Sequence, residues 1–294
     1  DARCAVADAY VYAWPTAAAS GTEHRITEDF APTRDVQLAA RTDGFVVGWV
    51  ENSTGGFEVF ARPLDAAGAP SGVAQRITNN ALREDSLRLS GLGDGATMAA
   101  WIESDGLGGA AVTHAVQLGA TGAAIGTPAV ATAAPSMPTE LTLSRLGAGG
   151  AALAWTEGGV VYLQPLTSAG AFVGAPARMN MEAFASGGVS GASRNTEAGL
   201  TMAPSTGADP AVARYAMGYV VAYRTTAMDG SGVIRLAFAT SNGEYSHSID
   251  VATTTMATGG GPRLAVAADG RILVAWQDAD ETSATILAAK VICE

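Results

Sequence analysis

The sequence is poor in positive charge. It has 17 basic residues against 28 acidic ones, a formal net charge of −11, and lysine occurs once, at Lys290. Nucleic-acid binding needs a basic stripe that neutralises phosphates, and binding to an anionic membrane surface needs a similar cluster. The charge balance therefore argues against nucleic acid and acidic lipid as partners.

The chain also lacks a long apolar run and is poor in aromatic residues. No stretch approaches the roughly 20 apolar residues that cross a bilayer as a helix, so we expect no membrane span. Aromatic residues make up 6% of the sequence, hydrophobic residues together reach 48%, and glycine numbers 36. An aliphatic core interrupted by many turns is typical of short stacked strands.

Cysteine is scarce, and its two positions lie at the extremes of the chain, Cys4 and Cys293. If the termini meet, as in a ring-shaped repeat protein, the two thiols are neighbours. A disulfide there would close a very long loop, worth on the order of 4–5 kcal/mol before strain. It would also imply an oxidising, secreted or cell-surface location. Two unpaired buried thiols are the alternative.

A short cassette recurs five times, consisting of a small residue, a large aromatic residue, any residue and usually an acid. Its copies begin at Gly48, Ala100, Ala154, Ala222 and Ala275. The aromatic positions 49, 101, 155, 223 and 276 are 52, 54, 68 and 53 residues apart. A repeat of this length, with four short strands in each unit, predicts an all-β, five-bladed β-propeller of four-stranded blades.

The predicted blades form one domain over residues 1–294. Their approximate ranges are 35–78, 86–132, 140–180, 181–253, and 262–292 together with 5–27. The last unit lacks an outermost strand, and residues 24–27 resemble that strand, so we expect the N-terminal segment to complete the closing blade and protect its edge. Residues 9–15 also resemble a third strand, which leaves one surplus strand in that blade.

The long spacing before the fourth cassette indicates an insertion within residues 181–214. It carries Arg194 and Glu197, among other polar residues. A departure from a symmetrical scaffold is a place where function is readily added, and a tolerated surface loop is the alternative.

The acids of the cassette, Glu51, Glu103, Glu157 and Asp278, are predicted to lie at one height on four blades. Such a ring would bind a cation or sugar hydroxyls, or each acid would accept hydrogen bonds from its own or the next blade. Asp278, Asp280 and Glu281 form the densest acidic cluster, whose hard oxygen ligands suit Ca²⁺. The spacing matches no complete calcium loop, so no cofactor is expected unless calcium binds there.

Signals for an enzyme are few. The three histidines have no zinc-like spacing, and no nucleophile elbow or phosphate-binding glycine loop occurs. Five-bladed propellers include glycosidases that use two or three carboxylates on inner strands. Asp35, Asp85 and Glu140, near the starts of predicted first strands, are the acids that would serve in this way, and turn capping is the alternative.

The blade pattern resembles the β-propeller repeats of large secreted and surface proteins of Gram-negative bacteria, myxobacteria especially. The segment from Val46 to Glu51, followed by residues 57–64 and Gly68, has their order of aliphatic run, Trp-x-Asp/Glu, strand and glycine turn. The five blades are also similar to the tachylectin-like lectins, although no sugar-binding motif of that family is present. The resemblance implies a secreted or surface-exposed propeller.

These observations together favour a secreted, non-enzymatic binding module, for example a carbohydrate-binding one, with a glycan or protein partner at one face of the ring. Two alternatives stay open. One is an extracellular glycoside hydrolase with carboxylates in the central funnel. The other is a structural or adhesive subunit of a surface assembly.

Overall fold

The structure, a computed structural model, is built from β-strands. It describes residues 8–13, 21–27, 31–53, 56–92, 95–106, 109–131, 137–146, 149–180, 207–216, 218–226, 231–254, 261–279 and 284–291. Within these ranges no helix is long and apolar enough to cross a membrane.

Twenty-one strands occur in the described residues, with the following bounds. Those before the third cassette are β1 Tyr10–Ala13, β2 Thr22–Arg25, β3 Thr33–Arg41, β4 Gly44–Ser53, β5 Gly56–Leu64, β6 Gln75–Arg76, β7 Arg83–Gly91, β8 Thr97–Ser104, β9 Ala111–Leu118 and β10 Ala124–Val130. Those after it are β11 Pro138–Arg145, β12 Gly150–Glu157, β13 Val160–Thr167, β14 Ala177–Arg178, β15 Gly207–Tyr215, β16 Gly218–Thr226, β17 Gly232–Ala239, β18 Tyr245–Thr254, β19 Arg263–Val266, β20 Ile272–Ala279 and β21 Ala284–Val291.

The strands group into consecutive antiparallel units, here called blades 1 to 5. Blades 3 and 4 are separate four-stranded sheets, β11–β14 and β15–β18. Blade 1 (β3–β6) and blade 2 (β7–β10) also have four strands each, and a single parallel bridge between Phe57 and Arg83 links them into one sheet. Blade 5 has three strands, β19–β21. The first strands lie against one another in the order β3, β7, β11, β15 and β19.

The cassette lies on the second strand of each blade and forms the contacts between blades. Trp155 packs in one buried cluster with Ala100, Tyr223 with Ala154, and Trp276 with Ala222. Each cluster contains the aromatic cassette residue of one blade and the small cassette residue of the preceding blade. Because a larger side chain there would hold the sheets apart, the alternation of small and aromatic residues stacks the blades around an axis. This arrangement confirms the β-propeller fold.

The N-terminal strands pack on blade 1 and do not pair with blade 5 in the described residues. β1 and β2 form a two-stranded sheet in which Tyr10 faces Arg25. Ala9 and Ile26, at its end, are buried with Val47 and Trp49 of blade 1. The N-terminal segment thus covers blade 1, and in the described residues no ladder joins it to β21, so its expected place as the outermost strand of the closing blade stays a prediction.

Two segments of the chain, β1 and β21, have the contacts of the third strand of a blade, which accounts for the surplus strand expected from the sequence. The Ala9 N–H donates to Thr27 Oγ1 at 3.0 Å, as the Val59 N–H of blade 1 donates to Thr78 Oγ1 at 2.9 Å. β1 therefore has the contacts of a third strand, while β21 fills the third position beside β20. Both segments have the sequence pattern of a third strand, and the structure places them in different sheets.

Blade 5 is packed by described residues on one face only. Its Ile272, Val274 and Trp276 are buried against blade 4. On the other face Leu273 is 51% and Ile286 is 82% exposed. The prediction that residues 1–294 form one domain, with the blade boundaries given above, stays a prediction.

A buried asparagine fastens the short outer strand of blade 3, and its loss should destabilise the fold. Asn180 is 1% exposed, accepts the Val161 N–H at 3.0 Å and donates to the Gly159 carbonyl at 2.9 Å. Asn180→Ala leaves that buried N–H unpaired, so we expect a loss of about 1–3 kcal/mol in the free energy of unfolding. Denaturant unfolding measures it, with the exposed turn variant Asn242→Ala as the control. Equal stability of the two variants would contradict the role of Asn180.

Candidate active site

The same irregularity occurs near the start of four inner strands. The registers of β3, β7, β11 and β15 each shift by a bulge against the second strand of the blade. At each bulge one non-glycine residue has a positive φ: Asp35 at 51°, Ser86 at 57°, Glu140 at 54° and Asp209 at 52°. A left-handed conformation is costly for such residues, and bulges of this kind reorient side chains beside functional sites. Three of the four positions are acidic.

Two of these carboxylates bind the backbone of the next blade. Asp35 Oδ2 accepts the Ser86 N–H at 2.9 Å, and Glu140 Oε2 accepts the Asp209 N–H at 2.6 Å. The bulge residues are therefore linked in pairs around the axis. A hydrogen bond from a backbone N–H group fixes the orientation of each carboxylate.

A cavity of about 590 Å³ opens at this end of the axis. Residues from all five blades line it: Gln37, Ser86, Arg88, Glu140, Leu141, Thr142, Asp209, Pro210, Ala211 and Arg263. Its size is within the range of about 300–1,000 Å³ that small-molecule sites occupy. In blade 5 the chain approaches Asp209 at Gly261, where an added Cβ would clash with the Asp209 side chain. We call this site, together with Asp35 at the bulge of blade 1, the axial cavity.

Burial and charge change the acidity of groups in the axial cavity. Burial raises the pKa of Asp209, the neighbouring Glu140 raises it further, and Arg263 and Arg224 oppose the rise. Burial lowers the pKa of Arg88. The charge of Asp35 opposes this fall, and the charge of Arg263 adds to it. A carboxyl group with a raised pKa thus shares one cavity with a second carboxyl group and two guanidinium groups.

This arrangement is suited to general acid–base chemistry. Two carboxyl groups whose environments separate their pKa values divide into a proton donor and an ionised partner. Arginine side chains at the rim supply donors for hydroxyl or carboxylate oxygens.

Two of the three acids singled out on the inner strands lie at bulge positions, and the third does not. Asp35 and Glu140 occupy the positive-φ positions, whereas Asp85 lies one residue before Ser86. Asp85 instead forms ion pairs with Arg34 at 2.8 Å and Arg83 at 2.7 Å. The structure places Asp85 in a surface charge cluster and puts a serine at its bulge.

Sequence reasoning assigned Asp209 to the insertion and not to an inner strand. The signal that identifies it is a fixed offset: each bulge residue lies two positions before the residue that pairs with the small cassette residue. Asp209 precedes Ala211, which pairs with Ala222, as Glu140 precedes Thr142, which pairs with Ala154. The long gap before the fourth cassette concealed this alignment.

The cassette acids, predicted as ligand-binding residues, lie apart from the axial cavity. Glu51 is 5% exposed and accepts the Trp49 Nε1–H at 2.9 Å. Glu103 accepts from Asn80 Nδ2 at 2.8 Å and lies 3.3 Å from His114 Nε2. Glu157 and Asp278 are half-buried near the ends of β12 and β20. The cavity that Glu51 lines, about 340 Å³, includes none of the other three.

A second acidic group, unanticipated from the sequence, is buried between blades 1 and 2. Glu58 and Glu84 are each 0% exposed. The Asn80 side chain donates to Glu84 Oε1 at 3.1 Å as well as to Glu103, and the Asn80 N–H donates to Glu58 Oε1 at 3.0 Å. Burial, Glu58 and Glu103 raise the pKa of Glu84 to about 7.

Several predicted site residues lie outside the described residues: Arg194, Glu197, Asp280, Glu281, Cys4 and Cys293. The disulfide and most of the acidic cluster therefore stay predictions. Among the residues that the structure describes, no three histidine, cysteine or acidic side chains are grouped so that they could hold a metal ion.

Comparison with known proteins finds similarity at the level of structure alone. No protein-family model and no curated protein matches the sequence. Among solved structures, an endo-arabinase from Bacteroides thetaiotaomicron is 13% identical, with 89% of this chain and 94% of that chain covered and a TM-score of 0.44. An exo-1,5-α-L-arabinanase from a bovine ruminal metagenomic library is 11% identical, with 88% and 93% covered and a TM-score of 0.40.

A third similar structure is an α-L-arabinofuranosidase from Lactobacillus brevis, 9% identical, with 88% of this chain and 90% of that chain covered and a TM-score of 0.40. These structures are named as glycoside-cleaving enzymes, a finding that overturns the expected non-enzymatic binding module. That expectation is wrong because it relied on the repeated cassette, whose side chains hold the blades together.

Proposed function

We propose that this chain is a glycoside hydrolase whose active site is the axial cavity. The observation that supports the proposal is the pairing of Asp209 and Glu140 from adjacent blades in one cavity, with the pKa of Asp209 raised. Glycoside hydrolysis generally uses two carboxyl groups, one protonated and one ionised. The proposal is the glycosidase alternative that the sequence left open.

Asp209 is assigned as the general acid. Its raised pKa keeps the proton available to the glycosidic oxygen at a pH where an ordinary aspartic acid is ionised. As the bond to the leaving group breaks, positive charge develops on the sugar ring. Glu140, oriented by the Asp209 N–H, is the carboxylate that meets this charge or activates the attacking water.

The remaining side chains of the axial cavity are assigned to positioning. Arg88 and Arg263 donate to hydroxyl oxygens of the bound sugar, and Asp35 holds the bulge of blade 2 in place through the Ser86 N–H. Exact placement of the substrate is worth several orders of magnitude in rate. Asp35 therefore acts through backbone geometry and Asp209 acts on the substrate.

Hydrolysis of plant polysaccharides tests the proposal. The purified chain is incubated with arabinan, xylan and 1,3-galactan, polymers of the kinds that the names of similar structures mention, and new reducing ends are measured. We expect release from at least one polymer and its loss in Glu140→Gln prepared in the same way. No release from any of the three, or equal release by the variant, would count against the proposal.

We further infer that the chain acts outside the cytoplasm on a glycan partner. Support comes from the cysteine pair predicted at the two ends and from the resemblance of the cassette to secreted bacterial propeller repeats. A Cys4–Cys293 disulfide and calcium at residues 278–281 remain part of this proposal. A mass two units lower than that of the reduced protein would identify the disulfide.

A further inference from the structure

A second cavity lies at the opposite end of the inner strands from the axial carboxylates. It has a volume of about 690 Å³ and is lined by Arg145, Arg214, Tyr215, Ala216 and residues 266–271. Glu140 and Arg145 are on β11, and Asp209 and Arg214 are on β15, five residues apart in each case. Five strand residues span about 17 Å. We call this cavity the distal arginine pocket.

The distal arginine pocket is positively charged in a strongly acidic protein. Three arginines, Arg145, Arg214 and Arg271, line it together with one acid, Asp269, whereas the whole chain carries a formal charge of −11. Asp269 already pairs with Arg271 at 2.6 Å, and hydrogen bonds from Arg271 lower the pKa of Asp269, which keeps that carboxylate ionised. The two remaining arginines supply an uncompensated charge.

Arg145 and Arg214 are available to a ligand. Both side chains are exposed, and neither forms a hydrogen bond or ion pair with the residues that the structure describes. Most of the chain's other described arginines engage carboxylates or carbonyl oxygens, as Arg41 does with Asp43 at 2.9 Å. Like charges on adjacent inner strands repel each other, and an anion bound between them would relieve that repulsion.

Tyr215 and Val266 give the pocket an apolar wall that packs on neighbouring residues. The Tyr215 ring packs edge-on against Phe238 with ring centroids 5.3 Å apart, and Val266 packs with the blade 4–blade 5 core. A planar guanidinium group binds a carboxylate through two parallel hydrogen bonds, while an aromatic wall offers contact area to the apolar face of a ring. The volume exceeds what a simple inorganic ion requires and suits a ligand of sugar size.

We propose that the distal arginine pocket binds an acidic saccharide, its carboxylate on Arg145 and Arg214 and its ring against Tyr215. The site is distinct from the axial cavity, and the proposal does not depend on the glycosidase activity. It adds a binding site for uronic-acid ligands at the far end of the propeller.

Calorimetric titration with digalacturonate at low ionic strength tests this proposal. We expect binding to the wild-type chain and a Kd at least about tenfold weaker in Arg145→Gln and in Arg214→Gln, since a hydrogen bond to a charged group is worth about 1.5–3 kcal/mol. Arg178→Gln, an exposed arginine of the outer strand of blade 3, is the matched control and should bind as the wild type does.

Two comparison ligands and one further variant define the outcomes. Neutral maltose should not bind, and inorganic phosphate should bind at least about tenfold more weakly than digalacturonate, because it makes no contact with the apolar wall. The proposal is overturned by absent binding, by equal binding of phosphate or maltose, or by an unchanged Kd in both arginine variants. Glu140→Gln should retain full affinity, which separates this result from failure of the proposed hydrolysis.

Discussion

Replacing Asp209 with asparagine should lower kcat by about 10²–10⁴-fold, the usual contribution of a general acid. Asparagine has almost the same shape and keeps the backbone N–H that Glu140 accepts. The variant therefore loses the transferable proton while the bulge stays in place. The measurement is kcat on the polymer that the wild-type chain cleaves, with the melting temperature recorded for both proteins.

Glu244→Gln is the control for this loss, because Glu244 is an exposed turn residue of blade 4 whose carboxylate is far from the axial cavity in the chain's topology. It should keep the wild-type rate. If Asp209→Asn retained more than about a tenth of wild-type kcat, another group would be the acid.

The pH profile gives a second, independent readout of the same assignment. Arg263 lowers the pKa of Asp209, so Arg263→Gln should raise that pKa. A general acid works while protonated, and activity falls as the pH rises through its pKa. The alkaline limb of kcat should therefore move to higher pH in Arg263→Gln, and a limb that stays in place or moves to lower pH would contradict the role of Asp209.

Stability should fall as the pH rises through the neutral range, and Glu84→Gln should remove that loss. Glu84 is buried beside Glu58 and Glu103, which with burial raise its pKa from 4.5 to about 7. The folded state then binds the proton more tightly than the unfolded state. The resulting stabilisation is full below pH 4.5 and is lost as the pH rises through about 7. A shift of this size corresponds to about 3 kcal/mol.

Glutamine mimics the protonated acid at every pH, so the two proteins should differ little near pH 4. Near pH 8 the free energy of unfolding of Glu84→Gln should exceed that of the wild type by about 3 kcal/mol. Urea unfolding at both pH values measures the difference, with Glu244→Gln as the control. Parallel behaviour of wild type and Glu84→Gln would show that Glu84 is ionised throughout.

The propeller was predictable because its signal is local and repeated. Each cassette places an aromatic ring beside a small residue on a two-sided buried strand, and contacts such as Trp155 with Ala100 follow directly from that alternation. Asp35 and Glu140 were also accessible, since both stand near the start of a predicted inner strand. Asp209 was not, because the long segment before it hid its equivalence to Glu140.

The cassette acids show what a repeated residue does on a symmetrical scaffold, and the ligand role expected of them stays a prediction. A residue that recurs on every blade most simply serves what every blade requires, and Glu51 accordingly accepts the hydrogen bond of its own Trp49. The axial cavity is built from side chains that differ between blades, with serine at position 86 where three other blades carry acids. Chemistry on a symmetrical scaffold comes from such differences.

The sequence by itself determined the all-β architecture, the second-strand position of the cassette and the acidic character of the inner strand starts, because each depends on period and residue type over a few positions. Only the tertiary structure decided which acids meet. A bulge shifts the side-chain alternation by one residue, so it brings Ser86 to the axis and leaves Asp85 with Arg34 and Arg83. The tertiary structure also decided the pKa of Asp209 and of Glu84, since burial and neighbouring charge depend on blades that are distant in the chain.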